Sequence, residues 1–232
     1  MTPTGVVARL AVRELWISFR LLIVLIAFVA PGAVVALLPA AVPVTMTRLS
    51  VGLGAATIVV SVVAAWSMAE ERQAGRAGWL VSRSLPRGSL LAGWFVALAG
   101  LAGLALAAAA LLGWLAATTV AFRLEAGAYV SLILAIGATS LGAIALGLLA
   151  GTLLPGRTAA AAVGAGCLLA GAAAWLLPLD GSLVPGGAYA SLAALTETQR
   201  SIGPGLRATG VGLAVAAALL VAARAALEDA EL

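Results

Sequence analysis

An apolar run at 90–117 contains no charged side chain. A helix needs about 20 predominantly apolar residues to cross a bilayer, and this run is longer. Only 9% of the 232 residues are charged, whereas about a quarter are charged in soluble domains. The sequence therefore predicts one all-α integral membrane domain over 1–232. Its six transmembrane helices are predicted at 17–38, 51–68, 90–117, 129–153, 159–177 and 208–224.

The basic and sulfur-containing residues exclude several kinds of site. All 13 basic residues are arginine, and histidine is absent, which removes the P-loop lysine, imidazole acid/base chemistry and most metal sites. The arginines are spread over the ends of the apolar runs and form no basic stripe, so we expect no nucleic-acid partner. Cys167 is the single cysteine, which excludes an internal disulfide and favours a role in helix packing. We expect no catalytic, cofactor or metal site in this chain.

The segment Glu70–Trp94 is the one place where dense charge separates two long apolar runs. Its charged residues are Glu70, Glu71, Arg72, Arg76, Arg83 and Arg87. Each would cost about 2.5 to 3.5 kcal/mol near the centre of a bilayer, so the segment is predicted to lie outside the lipid. Three adjacent apolar residues stand at its middle, namely Trp79, Leu80 and Val81. With Gly75 and Pro86 bracketing them, they predict a short amphipathic helix on the membrane surface or against a partner.

The order of residues in this segment resembles a known loop. The segment reads, in order, as an acidic pair, Arg, Gly, a short apolar run, Pro-Arg and Leu-x-Gly-aromatic. This order is similar to the cytoplasmic loop after the second helix of ABC type-2 exporter permeases. In that family the loop contains the coupling helix that docks on the ATPase subunit. The resemblance implies a cytoplasmic coupling loop at 70–89 with docking residues Glu71, Arg72, Gly75, Arg76, Trp79, Leu80, Val81, Arg83, Pro86 and Arg87. The alternative is an ordinary charged loop that anchors two helices.

The same resemblance implies further features. The ATPase would be a separate partner chain that binds ATP and Mg, and a second permease subunit, identical or related, would complete the pair. The mixed polar and apolar face of Gly5–Trp16 suits an interfacial helix and resembles the elbow helix of these permeases. The segment 178–207 contains several prolines, glycines and charges, so we expect a short interfacial or re-entrant helix there on the outer face.

Four residues within the spans have expected structural roles. Gly147 and Gly151 form a small-xxx-small pair of the kind that packs membrane helices, although glycine is also simply common in such helices. Pro31 predicts a kink in the first span. Arg20 enters the first span close to Trp16, and we expect its side chain to reach back to the lipid headgroups. A role in gating is the alternative for Arg20.

Arginine counting predicts the orientation. If the N-terminus is inside, nine arginines lie in inner segments and four in outer segments. The positive-inside rule then places both termini and the loop at 70–89 in the cytoplasm, in a bacterial-type inner or plasma membrane. The inner set is Arg9, Arg13, Arg20, Arg72, Arg76, Arg83, Arg87, Arg157 and Arg224, and the outer set is Arg48, Arg123, Arg200 and Arg207.

The function expected from these features is transport driven from outside the chain. Ionisable residues are absent from the centres of the spans, which argues against a proton-driven pump. We expect the permease subunit of an ATP-binding-cassette exporter with an apolar or amphiphilic substrate, and not an enzyme. A haem-exporter-type permease of cytochrome c maturation is an alternative, against which the absence of histidine counts. A non-conducting membrane anchoring or assembly subunit is another.

Overall fold

The computed structural model describes residues 2–38, 42–74, 86–119, 126–176 and 202–229, and within these ranges the chain is helical with no strand. Among the described residues, six helices, α2 to α7, are long and apolar enough to cross a membrane. The prediction of an all-α, multi-pass membrane protein with six spans is confirmed. The helices are α1 (Pro3–Ile17), α2 (Arg20–Leu37), α3 (Val42–Gln73), α4 (Arg87–Thr119), α5 (Ala126–Leu153), α6 (Gly156–Leu176) and α7 (Gly203–Asp229).

Several helices are longer than the apolar runs that predicted them. Helix α3 continues past Met68 to Gln73, and α4 begins at Arg87. Glu and Arg are good helix formers, so a helix continues into the charged residues that end its apolar run. Helix α7 begins at Gly203, inside the outer segment predicted at 178–207. Pro204 is compatible with this start because the first turn of a helix needs no backbone N–H donor.

A short turn separates helix α1, which covers the predicted interfacial segment Gly5–Trp16, from helix α2, which covers the first predicted span. Helix α1 ends at Ile17, and α2 begins at Arg20 after a turn in which Phe19 has a φ of 60°. The backbone N–H of Ser18 donates to the carbonyl oxygen of Glu14 at 2.9 Å, and its hydroxyl donates to the same oxygen at 2.7 Å. These bonds satisfy a free carbonyl group at the end of α1. Helix α1 then packs its buried face, Val7, Ala11 and Leu15, into the bundle.

Helix α5 is the centre of the bundle and packs between α3 and α7. A Cβ added at Gly151 would lie 2.6 Å from the carbonyl oxygen of Ala65, and one added at Gly147 would overlap that of Ser61. On the other side, a Cβ at Gly212 would lie 2.9 Å from the Cβ of Ala138. Residue numbers rise together along both contacts, so α3, α5 and α7 run parallel. Glycine is needed at these positions because the neighbouring backbone occupies the space of a side chain.

Helix α2 packs against two helices through adjacent residues. A Cβ at Gly32 would lie 2.7 Å from the carbonyl oxygen of Ala109 on α4. Its neighbour Pro31 faces α3, where a Cβ at Gly52 would lie 2.6 Å from the Pro31 ring. The helix is continuous through Pro31. The largest fully buried side chains belong to one core that α1 to α5 share, and they include Leu15, Phe28, Leu53, Trp94, Leu98, Ile136, Ile144 and Leu148.

Candidate functional site

One end of the bundle, which we call the charged end, holds most of the charged residues. It contains the end of α3 and the start of α4, together with the ends of α5 and α7 and the starts of α2 and α6. Of the charged residues that the structure describes, Arg48 and Arg207 alone lie at the opposite end. The predicted docking segment leaves α3 and enters α4 at the charged end, so the candidate site is built from the helix ends around it.

A buried cluster, which we call the Arg20 cluster, joins α2 to α3. It comprises Arg20, Trp66, Ser67 and Glu70. Arg20 is only 5% exposed, and its guanidinium forms an ion pair with the Glu70 carboxylate. It also donates to Ser67 Oγ at 3.2 Å and lies 4.3 Å from the centre of the Trp66 ring. The indole N–H of Trp66 donates to the other oxygen of Glu70 at 2.5 Å.

The expectation that Arg20 reaches back to the headgroups is wrong. Its side chain is enclosed by α3, where Glu70 supplies a counter-charge and Trp66 supplies an aromatic face. Burying a guanidinium is expensive unless it is paired and hydrogen-bonded, and a cation over an indole ring is stabilised further. The sequence alone does not indicate this partner, because Glu70 lies 50 residues away along the chain, in the segment predicted to lie outside the lipid. The i, i+4 spacing of Trp66 and Glu70 on one helix face was the available signal.

Arg72 joins the end of α3 to the end of α5. Its Nη1 donates to the carbonyl oxygen of Thr152 and lies 3.4 Å from that of Gly151. The last four carbonyl groups of a helix have no partner within the helix, and a cation there also interacts favourably with the helix dipole. Arg72 therefore caps α5 from a neighbouring helix. Its neighbour Glu71 is also buried at the charged end, with 8% of its surface exposed.

Arg87 makes the equivalent connection from α4 to α7. Its Nη1 donates to the carbonyl oxygen of Glu228 at 2.7 Å and lies 3.4 Å from that of Leu227. Pro86 precedes α4, and its carbonyl oxygen accepts bonds from the backbone N–H of Ser89 at 2.8 Å and from the Ser89 hydroxyl at 2.6 Å. The start of α4 is thus fixed locally by Ser89 and across the bundle by Arg87.

The predicted docking residues divide into two groups. Glu71, Arg72, Pro86 and Arg87 belong to the described helix ends on the two sides of the predicted coupling helix. The structure brings Arg72 and Arg87 into contact with other helices, and it links neither of them directly to the other. The remaining predicted docking residues lie outside the described ranges; they are Gly75, Arg76, Trp79, Leu80, Val81 and Arg83.

Metal-binding side chains are scarce in this part of the molecule. Within the described ranges, no group of three or more Cys, Asp or Glu side chains could hold a metal ion. Cys167 is buried and packs with Ala65, Ala69, Ala159 and Val163 between α3 and α6. Arg72 and Arg87 bind the ends of neighbouring helices, and Arg20 pairs with Glu70, which is an arrangement suited to holding helices in register.

Comparison with known proteins adds no further assignment. A scan against protein-family models and a search of curated proteins find no match to the chain. The family resemblance therefore rests on the residues of the charged segment and on the layout of the spans.

Proposed function

We propose that this chain is the membrane permease subunit of an ATP-binding-cassette exporter of the type-2 kind. The observation that carries the proposal is the pair of connections made by Arg72 and Arg87. These two arginines flank the segment in which the resemblance places the coupling helix. Each of them bonds to the last carbonyl groups of a different transmembrane helix.

This arrangement suits a segment that receives a mechanical input. In the proposal, ATP binding closes two partner ATPase subunits, and the docked coupling helix moves with them. On one side the movement reaches α3, which is bonded to α2 through the Arg20 cluster and to α5 through Arg72. On the other side it reaches α4, which is bonded to α7 through Arg87. The binding energy of ATP thereby shifts the population between inward-facing and outward-facing states.

The polar groups inside the spans support an energy source outside the chain. Thr139 and Ser140 donate to the carbonyl oxygens of Ala135 and Ile136 in their own helix, at 2.9 and 2.8 Å. Thr57 does the same within α3, at 2.7 Å. Hydroxyl groups bonded in this way form no relay of titratable groups, whereas proton-coupled transporters use Asp, Glu or His within the membrane. The apolar interior also supports an apolar or amphiphilic substrate.

The proposal requires a paired arrangement in the membrane. Two permease subunits, identical or related, would stand together with two ATPase subunits, which would bind ATP and Mg. The charged end would face the cytoplasm, as the arginine distribution predicts by the positive-inside rule.

The experiment that tests this proposal compares a double variant in the coupling segment with a charge reversal at the opposite end of the bundle. A Trp79→Ala, Arg83→Glu double variant removes an aromatic contact and reverses a charge in the coupling segment. Arg207→Glu reverses an exposed charge at the opposite end and serves as the control. The tagged chains are purified in mild detergent, and the copurified ATPase is identified by mass spectrometry and quantified by ATP hydrolysis.

We expect the double variant to lose the ATPase while the control keeps it. Equal amounts of ATPase with both variants would show that the coupling segment is not the docking site. If no ATPase accompanies even the unaltered chain, the exporter proposal fails and a non-conducting anchoring or assembly subunit becomes the better account.

A further inference from the structure

An open crevice lies between α4 and α7 at the charged end. Its volume is about 330 Å³. Apolar side chains and one arginine line it. On α4 these are Leu91, Ala92, Phe95 and Val96, beside Gly88, and on α7 they are Leu220, Val221 and Arg224. Because α4 and α7 contact each other only over a short stretch, the crevice opens on the outer surface of the bundle, which in a membrane protein faces lipid.

The crevice exists because small residues stand where α4 faces the end of α7. A Cβ added at Gly88 would meet nothing closer than the Nε of Arg224, at 3.9 Å. Ala92 follows Gly88 by one helical turn and extends the same face inward. The apolar residues Phe95 and Leu220 lie deeper in the bundle than Arg224. The crevice therefore runs from a mouth formed by the Arg224–Glu228 pair to an apolar interior.

Arg224 has the chemistry to bind a phosphate group at this mouth. Its side chain is 67% exposed, and its Nε donates to Glu228 at 2.8 Å. A guanidinium has five N–H donors in a planar fork, and this bond uses one of them. The fork matches the geometry of phosphate oxygens. Arg224 is also the first charged residue after the apolar run of α7, which places it at the depth of the lipid headgroups.

We propose that this crevice binds an anionic phospholipid of the surrounding membrane, with one acyl chain between α4 and α7 and its phosphate on Arg224. The apolar lining excludes water and receives the chain, and the arginine selects for negative charge in the headgroup. Basic pockets between transmembrane helices at the membrane surface are suited to such headgroups. The inference requires only that the chain crosses a membrane, and it stands whether or not an ATPase docks on the coupling segment.

The test measures lipid retention by native mass spectrometry of the purified chain. Dioleoyl-phosphatidylglycerol and dioleoyl-phosphatidylcholine are added in equal amounts, and bound lipid is counted on the unaltered chain. We expect one retained phosphatidylglycerol in preference to phosphatidylcholine. In Arg224→Gln the apparent affinity for phosphatidylglycerol should fall about fivefold, the contribution of one arginine near a membrane surface. Arg207→Gln, an exposed arginine at the other end of the same helix, should leave it unchanged.

A second pair of variants tests the apolar part of the site. Ala92→Leu fills the crevice and should reduce retention of both lipids. Gly100→Leu adds the same side chain on α4 where a Cβ meets open space, and it should have no effect. Equal affinity for the two lipids in the unaltered chain would overturn the proposal, and this measurement needs no variant. Loss of a dimer in Ala92→Leu with unchanged lipid binding would also overturn it and would assign the crevice to a second copy of the chain.

Discussion

Removing the charge of Glu70 from its ion pair with Arg20 should destabilise the bundle more than removing the charge of Arg20. Glu70→Gln leaves a cation that is 5% exposed without its counter-charge. Leaving a buried charge unpaired costs about 3 to 5 kcal/mol. We expect a loss in this range, because Arg20 and Trp66 donate to different oxygens of Glu70, and the single amide oxygen of glutamine can accept from only one of them.

Replacing Arg20 should cost less stability, because the charge that remains, on Glu70, is better hydrated. Arg20→Met keeps the length of the side chain and removes the charge. It leaves Glu70, whose side chain is 36% exposed and which still accepts a hydrogen bond from Trp66. The main losses are the hydrogen bond to Ser67 and the interaction with the Trp66 ring, and the latter contributes about 0.5 to 2 kcal/mol. The double variant Arg20→Met, Glu70→Gln removes both charges and should be more stable than the sum of the single losses implies.

The assay is a double-mutant cycle on the free energy of unfolding, measured by SDS titration in mixed micelles. We expect a coupling energy of at least about 1 kcal/mol between the two positions. The exposed pair formed by Arg224 and Glu228 provides the control, because its removal should change stability far less. Additive effects at Arg20 and Glu70, or a larger loss from Arg20→Met than from Glu70→Gln, would refute the view that Arg20 depends on Glu70 for its burial.

Two further predictions follow from the backbone geometry. Gly147→Ala should lower the stability of the bundle by about 1 to 3 kcal/mol, because the added Cβ overlaps α3. Gly166→Ala is the control and should not lower it, because a Cβ there meets nothing within 4 Å. Equal effects of the two variants in the same SDS titration would contradict the close contact of α3 and α5. Phe19 has a φ of 60° and is 71% exposed. Phe19→Asn should preserve stability because Asn tolerates this conformation, whereas Phe19→Val should lower stability by about 1 kcal/mol. Thermal unfolding in detergent distinguishes the two variants, and identical midpoints would contradict a left-handed residue between α1 and α2.

The class of the protein and the number of its spans could be predicted because they depend only on the length and hydropathy of each run. A stretch such as 90–117 has no alternative to a membrane helix, whatever its neighbours are. Helix ends were less predictable because hydropathy falls at the first charged residue, whereas hydrogen bonding within α3 continues to Gln73. The turn at Phe19 lies where the predicted interfacial helix Gly5–Trp16 meets the first span, but the left-handed conformation of Phe19 has no signal in the sequence, because the turn contains neither Gly nor Pro.

Contacts between distant residues were the part that the sequence did not reveal. The spacing of Gly147 and Gly151 indicated a close approach by another helix, but the identity of that helix depends on the packing of the whole bundle. Arg20 and Glu70 each had a simpler interpretation alone, one as a headgroup anchor and the other as a loop residue. Their pairing follows from the neighbouring positions of α2 and α3, which a single sequence does not specify.

The permease proposal can be tested by measuring ATP hydrolysis in the unaltered chain, purified with a tag from its native membrane. We expect a separate ATPase to copurify with the chain in an equal number of copies and to hydrolyse ATP in the eluate. A chain that purifies alone and without ATP hydrolysis would contradict the claim that this bundle is the permease subunit of an ATP-driven exporter.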